Sequence, residues 1–382
     1  MKNSELMKLA IKTLGQTHPN LFHDISEKEI QNHIALIKDL DNLTALQFDY
    51  ELLKLFALFK ESHTSYIPPY EFLNYTLILK NKKLYVYDNQ EWKEIVKVDK
   101  LSTNEFLNKL EPLICYETEE WLAQTLTYFA NNGYIYKMLG LMNNNFIELT
   151  TITGERLLAT VKPKKDNQSK TFYYYKILND NILYLRYEIC FNNPDFPFSL
   201  LVKQIEKEIK EKKINKYILD IRGNAGGDSE VLNPFQELVK NNNMKGCVLI
   251  DEGVFSSGIF AVMKFKKHLN ATLIGQPTGG TAKHYGNIKR IEIEGKRFNV
   301  STKLFDFSKF FGYEKSIKPD IFIEETIEDI QNHRDVILNR AVEFIENQAI
   351  LTYDKSFWFK QKNKTIIKKS LVVLQYNSKL TF

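Results

Sequence analysis

Two stretches, Tyr217-Ile-Leu-Asp-Ile-Arg-Gly-Asn-Ala-Gly-Gly227 and, one crossover later, Val248-Leu-Ile-Asp-Glu-Gly-Val-Phe-Ser-Ser-Gly258, decide the fold of this chain. Each opens as a short apolar run of buried-strand length and stops abruptly at glycine and small polar residues. The first leaves a flexible loop rich in N–H donors beyond a strand end. The second sets a serine pair at a strand-to-helix turn, because Ile259-Phe-Ala-Val-Met-Lys-Phe-Lys-Lys-His268 has the spacing of an amphipathic helix. A serine hydroxyl beside such a donor loop has the parts for acyl transfer, which makes a serine hydrolase the leading reading.

Outward from these stretches, strands and helices alternate through 169–346. Asn181–Tyr187 predicts a strand, Ser199–Lys213 a helix, Cys247–Ile250 a strand and Ala271–Gly275 another. A hairpin is expected around Glu294-Gly-Lys296, and a closing helix from Thr326 to Asn347. Such alternation predicts a layered α/β core. Ahead of it, 67–168 reads as a β-rich middle domain, with strand-like runs at Tyr75–Leu79, Lys83–Tyr87 and Glu94–Val98, and a polar linker at 164–169. Residues 1–66 read as helical. Ser26-Glu-Lys-Glu29 has the form of a capping box, and Phe48–Phe59 is a strongly apolar helix that stops at Lys60-Glu-Ser-His-Thr-Ser-Tyr66.

The chain has 382 residues, 43% hydrophobic and 26% charged, enough for two or three domains with a sizeable core. Its net charge of +5 is local: 347–382 carry seven Lys against one Asp, so the rest is close to neutral. This basic tail reads as solvated lysines, and a general nucleic-acid surface is not expected. Cys115, Cys190 and Cys247 are too scattered for a disulfide framework or a metal site and suit a reducing compartment. No HExxH or Cys/His metal spacing occurs, so neither metal nor cofactor is expected. The N-terminus lacks a signal-peptide core, and no run reaches the roughly 18 apolar residues of a membrane span. A cytoplasmic protein without membrane contact is the expectation.

A serine nucleophile needs a base. His18, His23, His33, His268 and His333 read as surface or structural histidines. His63, in Ser62-His63-Thr64 where the apolar helix ends, stands apart, with His284 after Pro277-Thr-Gly-Gly280 as its competitor.

These motifs resemble the tail-specific (C-terminal processing) serine peptidases, in particular their tricorn-like branch. Ser62-His-Thr64, Leu219-Asp-Ile-Arg-Gly-Asn-Ala-Gly-Gly227, Phe255-Ser-Ser-Gly258 and Leu273-Ile-Gly-Gln-Pro-Thr-Gly-Gly280 occur in the family's order. The resemblance implies a ClpP/crotonase-like spiral core, and 67–168 occupies the place where many members carry a PDZ-type domain. One branch of the family uses a Ser-Lys dyad, but Thr281 stands where its lysine would be, and Lys283 comes two residues late. The tricorn-like branch pairs a histidine with the serine and a later glutamate. That implies Ser256 as nucleophile (Ser257 being the alternative), His63 as base, and Glu314, through Ser62, as the group that steadies the imidazolium. Glu324 and Glu325 are the other candidates for the acid. The oxyanion donors would be the Ser257 amide and that of Gly226 or Gly227. Asp220 and Arg222 read as structural ties at a strand end.

The expected activity is hydrolysis of peptide bonds in peptides or unfolded proteins. A peptide-binding protein of the same fold without turnover, and an esterase using the same serine, are the alternatives.

Overall fold

The computed structural model describes residues 1–142, 144–162 and 172–347. The expected 164–169 linker and all but the first residue of the 347–382 tail lie outside the described residues.

Helices α1 (Asn3–Thr17), α2 (Glu27–Ala35) and α3 (Ala45–Ala57) open the chain. The capping box read from sequence holds α2: Ser26 Oγ accepts the Glu29 N–H while the Glu29 carboxylate accepts the Ser26 N–H. Helix α3 buries Phe48, Leu52, Leu53, Leu55 and Phe56 and runs into the loop that carries His63, followed by strand β1 (Ser65–Ile67).

A seven-stranded antiparallel sheet follows, built from β2 (Phe72–Leu73), β3 (Thr76–Lys80), β4 (Lys83–Asp88), β5 (Glu91–Val98), β6 (Leu101–Ser102), β7 (Phe146–Thr151) and β8 (Arg156–Lys162). Between β6 and β7 come α4 (Thr103–Leu110), α5 (Glu119–Ala130) and α6 (Gly133–Met138). This sheet shares one hydrophobic core with α1–α3.

The third part is a six-stranded sheet. Its strands are β9 (Tyr173–Leu178), β10 (Ile182–Tyr187), β11 (Lys216–Asp220), β12 (Lys245–Ile250), β13 (Thr272–Gly275) and, after the ribbon described below, β16 (Ile321–Phe322), ordered β16-β13-β12-β11-β10-β9. All neighbours pair in parallel except β9 with β10. Parallel strands need crossovers, and α7 (Phe198–Lys212), α8 (Asn233–Asn241) and α9 (Ser257–Leu269) supply them. The pleat sorts the side chains. Tyr217, Leu219 and Val248 pack in the core formed with these helices, whereas Ile218, Cys247 and Leu249 pack on the opposite face with Ile337, Ala341 and Ile345. Buried on both faces, such strands read as continuous apolar runs.

Strands β14 (Lys283–Ile293) and β15 (Lys296–Asp306) form a long ribbon turned at Glu294 and Gly295, both at positive φ (49° and 75°). Strand β15 also pairs with β1, Tyr66 opposite Phe298, and so ties the His63 loop to the C-terminal half. After α10 (Ser308–Phe311) and β16, the closing helix differs from expectation. It is broken into α11 (Ile327–Gln331) and a helix over 336–347. His333 lies in the break at φ 52°, and Asp335 caps the second piece by accepting the Leu338 N–H at 2.8 Å. No helix of the described residues is long and apolar enough to cross a membrane.

Candidate active site

Strands β11 and β12 end side by side, so the loops leaving them meet. The Phe255 N–H donates to the Asn224 carbonyl at 3.0 Å, and Asn224 is fully buried. One residue on, Ser256 sits at φ 51°, ψ −121°, immediately before α9. A non-glycine residue in this region carries strain of roughly 1–3 kcal/mol. A tight strand-to-helix turn of this kind presents a serine hydroxyl outward, and Ser256 is partly exposed.

Ser257 begins the helix, and its hydroxyl donates to the Gly227 carbonyl at 2.6 Å. Gly226 and Gly227, at φ 104° and 133°, tolerate no side chain. A Cβ on Gly226 would lie 2.7 Å from the Ser257 nitrogen, and one on Gly227 only 2.2 Å from the Cys190 carbonyl oxygen. The two glycine amides differ. Gly226 N–H donates to Asn224 Oδ1 at 2.9 Å, whereas Gly227 N–H donates to no group among the described residues, nor does the first helical amide, Ser257.

His63 is buried, with 1% of its surface exposed. Its ring stacks on Phe255 at 4.3 Å between centroids and on His284 at 5.5 Å. Trp121 covers the other side of Phe255 at 3.8 Å, so His63 and the residue preceding Ser256 belong to one aromatic stack. Neither His63 ring nitrogen has a hydrogen-bond partner among the described residues. Burial pulls its pKa down to about 3, an effect that Glu61 opposes and His284 reinforces. His63 is therefore neutral at pH 7, with an unprotonated ring nitrogen available as an acceptor.

The carboxylate beside His63 is Glu61, which sequence reading passed over. Its Oε1 accepts the His63 main-chain N–H at 2.9 Å and the Ser301 hydroxyl at 3.1 Å, and it lies 3.8 Å from His63 Nδ1. Its Oε2 lies 3.4 Å from Nε2 of His18, itself a buried histidine. Burial works to raise this carboxyl, but His18, His63 and Thr64 hold it below the ordinary carboxylate value. The available signal was an acidic residue two positions ahead of the histidine.

The Ser62 hydroxyl is buried and has no hydrogen-bond partner among the described residues, and its N–H approaches Glu117 at 3.5 Å. Burial, then the nearby charge of Glu61, raises Glu117 to about 8. Glu314 makes no hydrogen bond to the His63 ring: its carboxylate binds Lys283 at 2.9 Å and its side chain is 61% exposed. That hydrogen bond raises the Lys283 pKa, contrary to what a lysine base requires. Glu117, Thr281, His284 and Glu314 share the wall of a cavity of about 810 Å³.

Glu325 instead lines a second, polar cavity of about 380 Å³ with Arg222 and Asp335. There the reading of Asp220 and Arg222 as ties is met. Buried Asp220 accepts from Tyr184, Arg186 and Arg222, and Arg222 forks onto Asp335 at 2.9 and 2.7 Å.

No family model matches the sequence, and no curated protein sequence does so either. Solved structures do resemble the fold. Mature CPAF aligns with a TM-score of 0.58 at 12% identity, over 95% of this chain and 99% of that one. A CPAF mutant aligns at 0.60 and 12%, over 90% and 98%. The photosystem II D1 C-terminal processing protease aligns at 0.47 and 12%, over 85% and 94%. At these identities the likeness is one of fold.

Proposed function

We propose that this chain is a serine peptidase that hydrolyses peptide bonds in peptides or unfolded proteins. The observation that carries the reading is Ser256: a strained, partly exposed serine between a parallel strand and a helix, beside the undonated amides of Gly227 and Ser257. In this reading Ser256 Oγ attacks the scissile carbonyl carbon and its proton passes to the neutral His63 imidazole. The Gly227 and Ser257 N–H groups receive the oxyanion, helped by the positive end of the α9 dipole. Collapse breaks the C–N bond as His63 returns the proton to the leaving amine, and water then hydrolyses the acyl-enzyme by the same route. His63 and Ser256 are not hydrogen-bonded in this arrangement, so the imidazole has to turn towards Ser256 before the proton passes. Glu314 would first have to leave Lys283 to serve His63.

The likeness to CPAF at the level of fold supports a ClpP/crotonase-like spiral for 169–346. Residues 1–66 would then deliver the Ser-His motif and 67–168 flank the cleft. A cytoplasmic location and the absence of a nucleic-acid partner belong to the same proposal.

One observation favours a binding protein without turnover: no hydrogen bond joins Ser256 to His63 here. Intact mass after fluorophosphonate treatment separates the readings. A single adduct that disappears in Ser256→Ala and persists in Ser257→Ala supports the peptidase. Loss only in Ser257→Ala moves the nucleophile by one residue, and a folded, unlabelled wild type favours the binding protein. Hydrolysis of small activated esters but not of unfolded protein would instead identify an esterase.

A further inference from the structure

We propose that Glu61 is the positioning carboxylate of His63, holding the proton on Nδ1 so that Nε2 faces the serine. The inference deepens the peptidase reading and rests on it for its catalytic meaning. Its support is geometric. Glu61 and His63 are each 1% exposed, and the Glu61 carboxylate already binds the main chain of His63, two residues away in the same loop. The acid is therefore held beside the ring by the main chain of the same loop.

From 3.8 Å, an approach of about 1 Å turns the Nδ1 contact into a hydrogen bond. A carboxylate has about four acceptor sites. Oε1 already accepts two hydrogen bonds, whereas Oε2, which faces His18, accepts none among the described residues, so a small turn of the carboxylate leaves room for Nδ1–H. Fixing Nδ1–H leaves the Nε2 lone pair for the proton of Ser256, and the carboxylate then faces the imidazolium. The groups around Glu61 fit a buried anion. His18 faces Oε2, the Ser301 hydroxyl donates to Oε1, and the Glu61 main chain is held by Cys115 Sγ. Glu117 is the nearby acid and is raised towards its neutral form. Ser301, on β15, is supplied by the sheet that pairs with β1. Two segments 240 residues apart thus converge on this carboxylate.

The test is the tautomer of His63, read at pH 7 by long-range proton–nitrogen NMR on the full chain labelled with ¹⁵N-histidine and assigned with His63→Asn. The wild type is expected to show Nδ1–H, against the Nε2–H preference of free imidazole. Glu61→Gln should shift His63 towards Nε2–H and slow fluorophosphonate labelling ~10²–10⁴-fold, with Glu61→Asp restoring part of both. A wild-type Nε2–H tautomer overturns the inference, as does a tautomer that responds to Glu314→Gln and not to Glu61→Gln. If Glu61→Gln does not fold, the wild-type spectrum still decides. Nδ1–H without any labelling of the wild type would sink the peptidase reading and keep the pairing. Labelling of Ser256 that is equally fast in wild type and Glu61→Gln would do the reverse.

Discussion

The His63 imidazole lies 4.3 Å from the Phe255 ring and tilted by 21° to it, and Phe255 is the residue directly before Ser256. The proposed base thus packs on the residue next to the proposed nucleophile, with Trp121 as the third layer. Phe255 links three parts of the chain, because Trp121 lies in the first turn of α5, His63 follows α3 and Phe255 precedes α9.

Removing that link should be costly. Phe255→Ala is expected to destabilise the protein by about 3–5 kcal/mol through the cavity and the lost ring contacts. Urea unfolding with an unchanged m-value would measure it. A loss below about 1 kcal/mol would mean that the stack does not hold these segments together.

The glycines divide by surroundings. Gly227→Ala would drive a Cβ to 2.2 Å from the Cys190 carbonyl oxygen, whereas at Gly295, also at positive φ, a Cβ meets nothing within 4 Å. Gly295→Ala should therefore cost only ~1 kcal/mol of backbone strain. Gly227→Ala should cost severalfold more and abolish fluorophosphonate labelling. Similar melting temperatures for the two variants would contradict this.

Acid should weaken the fold through His63. Its folded pKa of about 3 lies below the ordinary 6.5, so the unfolded chain binds this proton first as pH falls. The stabilisation from neutral His63 is present above about pH 6.5 and is lost between there and pH 3. The limiting slope is ~1.4 kcal/mol per pH unit. The buried neighbour His284, also lowered by burial, adds in the same direction. Unfolding free energies from pH 7 to 4.5 should fall less steeply in His63→Asn than in the wild type. Parallel curves would refute the assignment.

The strand-end ion network gives a fourth expectation. Arg222→Met leaves Asp220, 1% exposed, with Arg186, Tyr184 and the main-chain N–H of residue 222. A loss of up to about 3 kcal/mol should follow, because the buried carboxylate keeps one guanidinium where it had two. Adding Asp220→Asn should recover part of it, as a double-mutant cycle in urea would show.

How much of this was legible in advance follows from the range of each interaction. Strands β11 and β12, the α2 capping box and the Glu294-Gly295 turn rest on neighbours a few residues apart, so their residue types announce them. The break at His333 escaped notice because the apolar period continues through it, and what stabilises the second piece is Asp335, which also answers Arg222 from 113 residues away. The candidate site divides in the same way. Ser256, Ser257 and the glycine pair are products of local backbone chemistry. The surroundings of the acids are not: Glu61 reads as one charge in a polar loop until α1 brings His18 and β15 brings Ser301 to it.

By itself, the sequence determined the parallel strands, the serine turn and the donor loop, since apolar runs, glycine freedom and helix starts are properties of short segments. Only the tertiary structure decided which carboxylate lies against His63 and which ring covers Phe255. Those contacts join segments far apart in the chain, and burial there sets both the charge on the histidine and the partner it can reach.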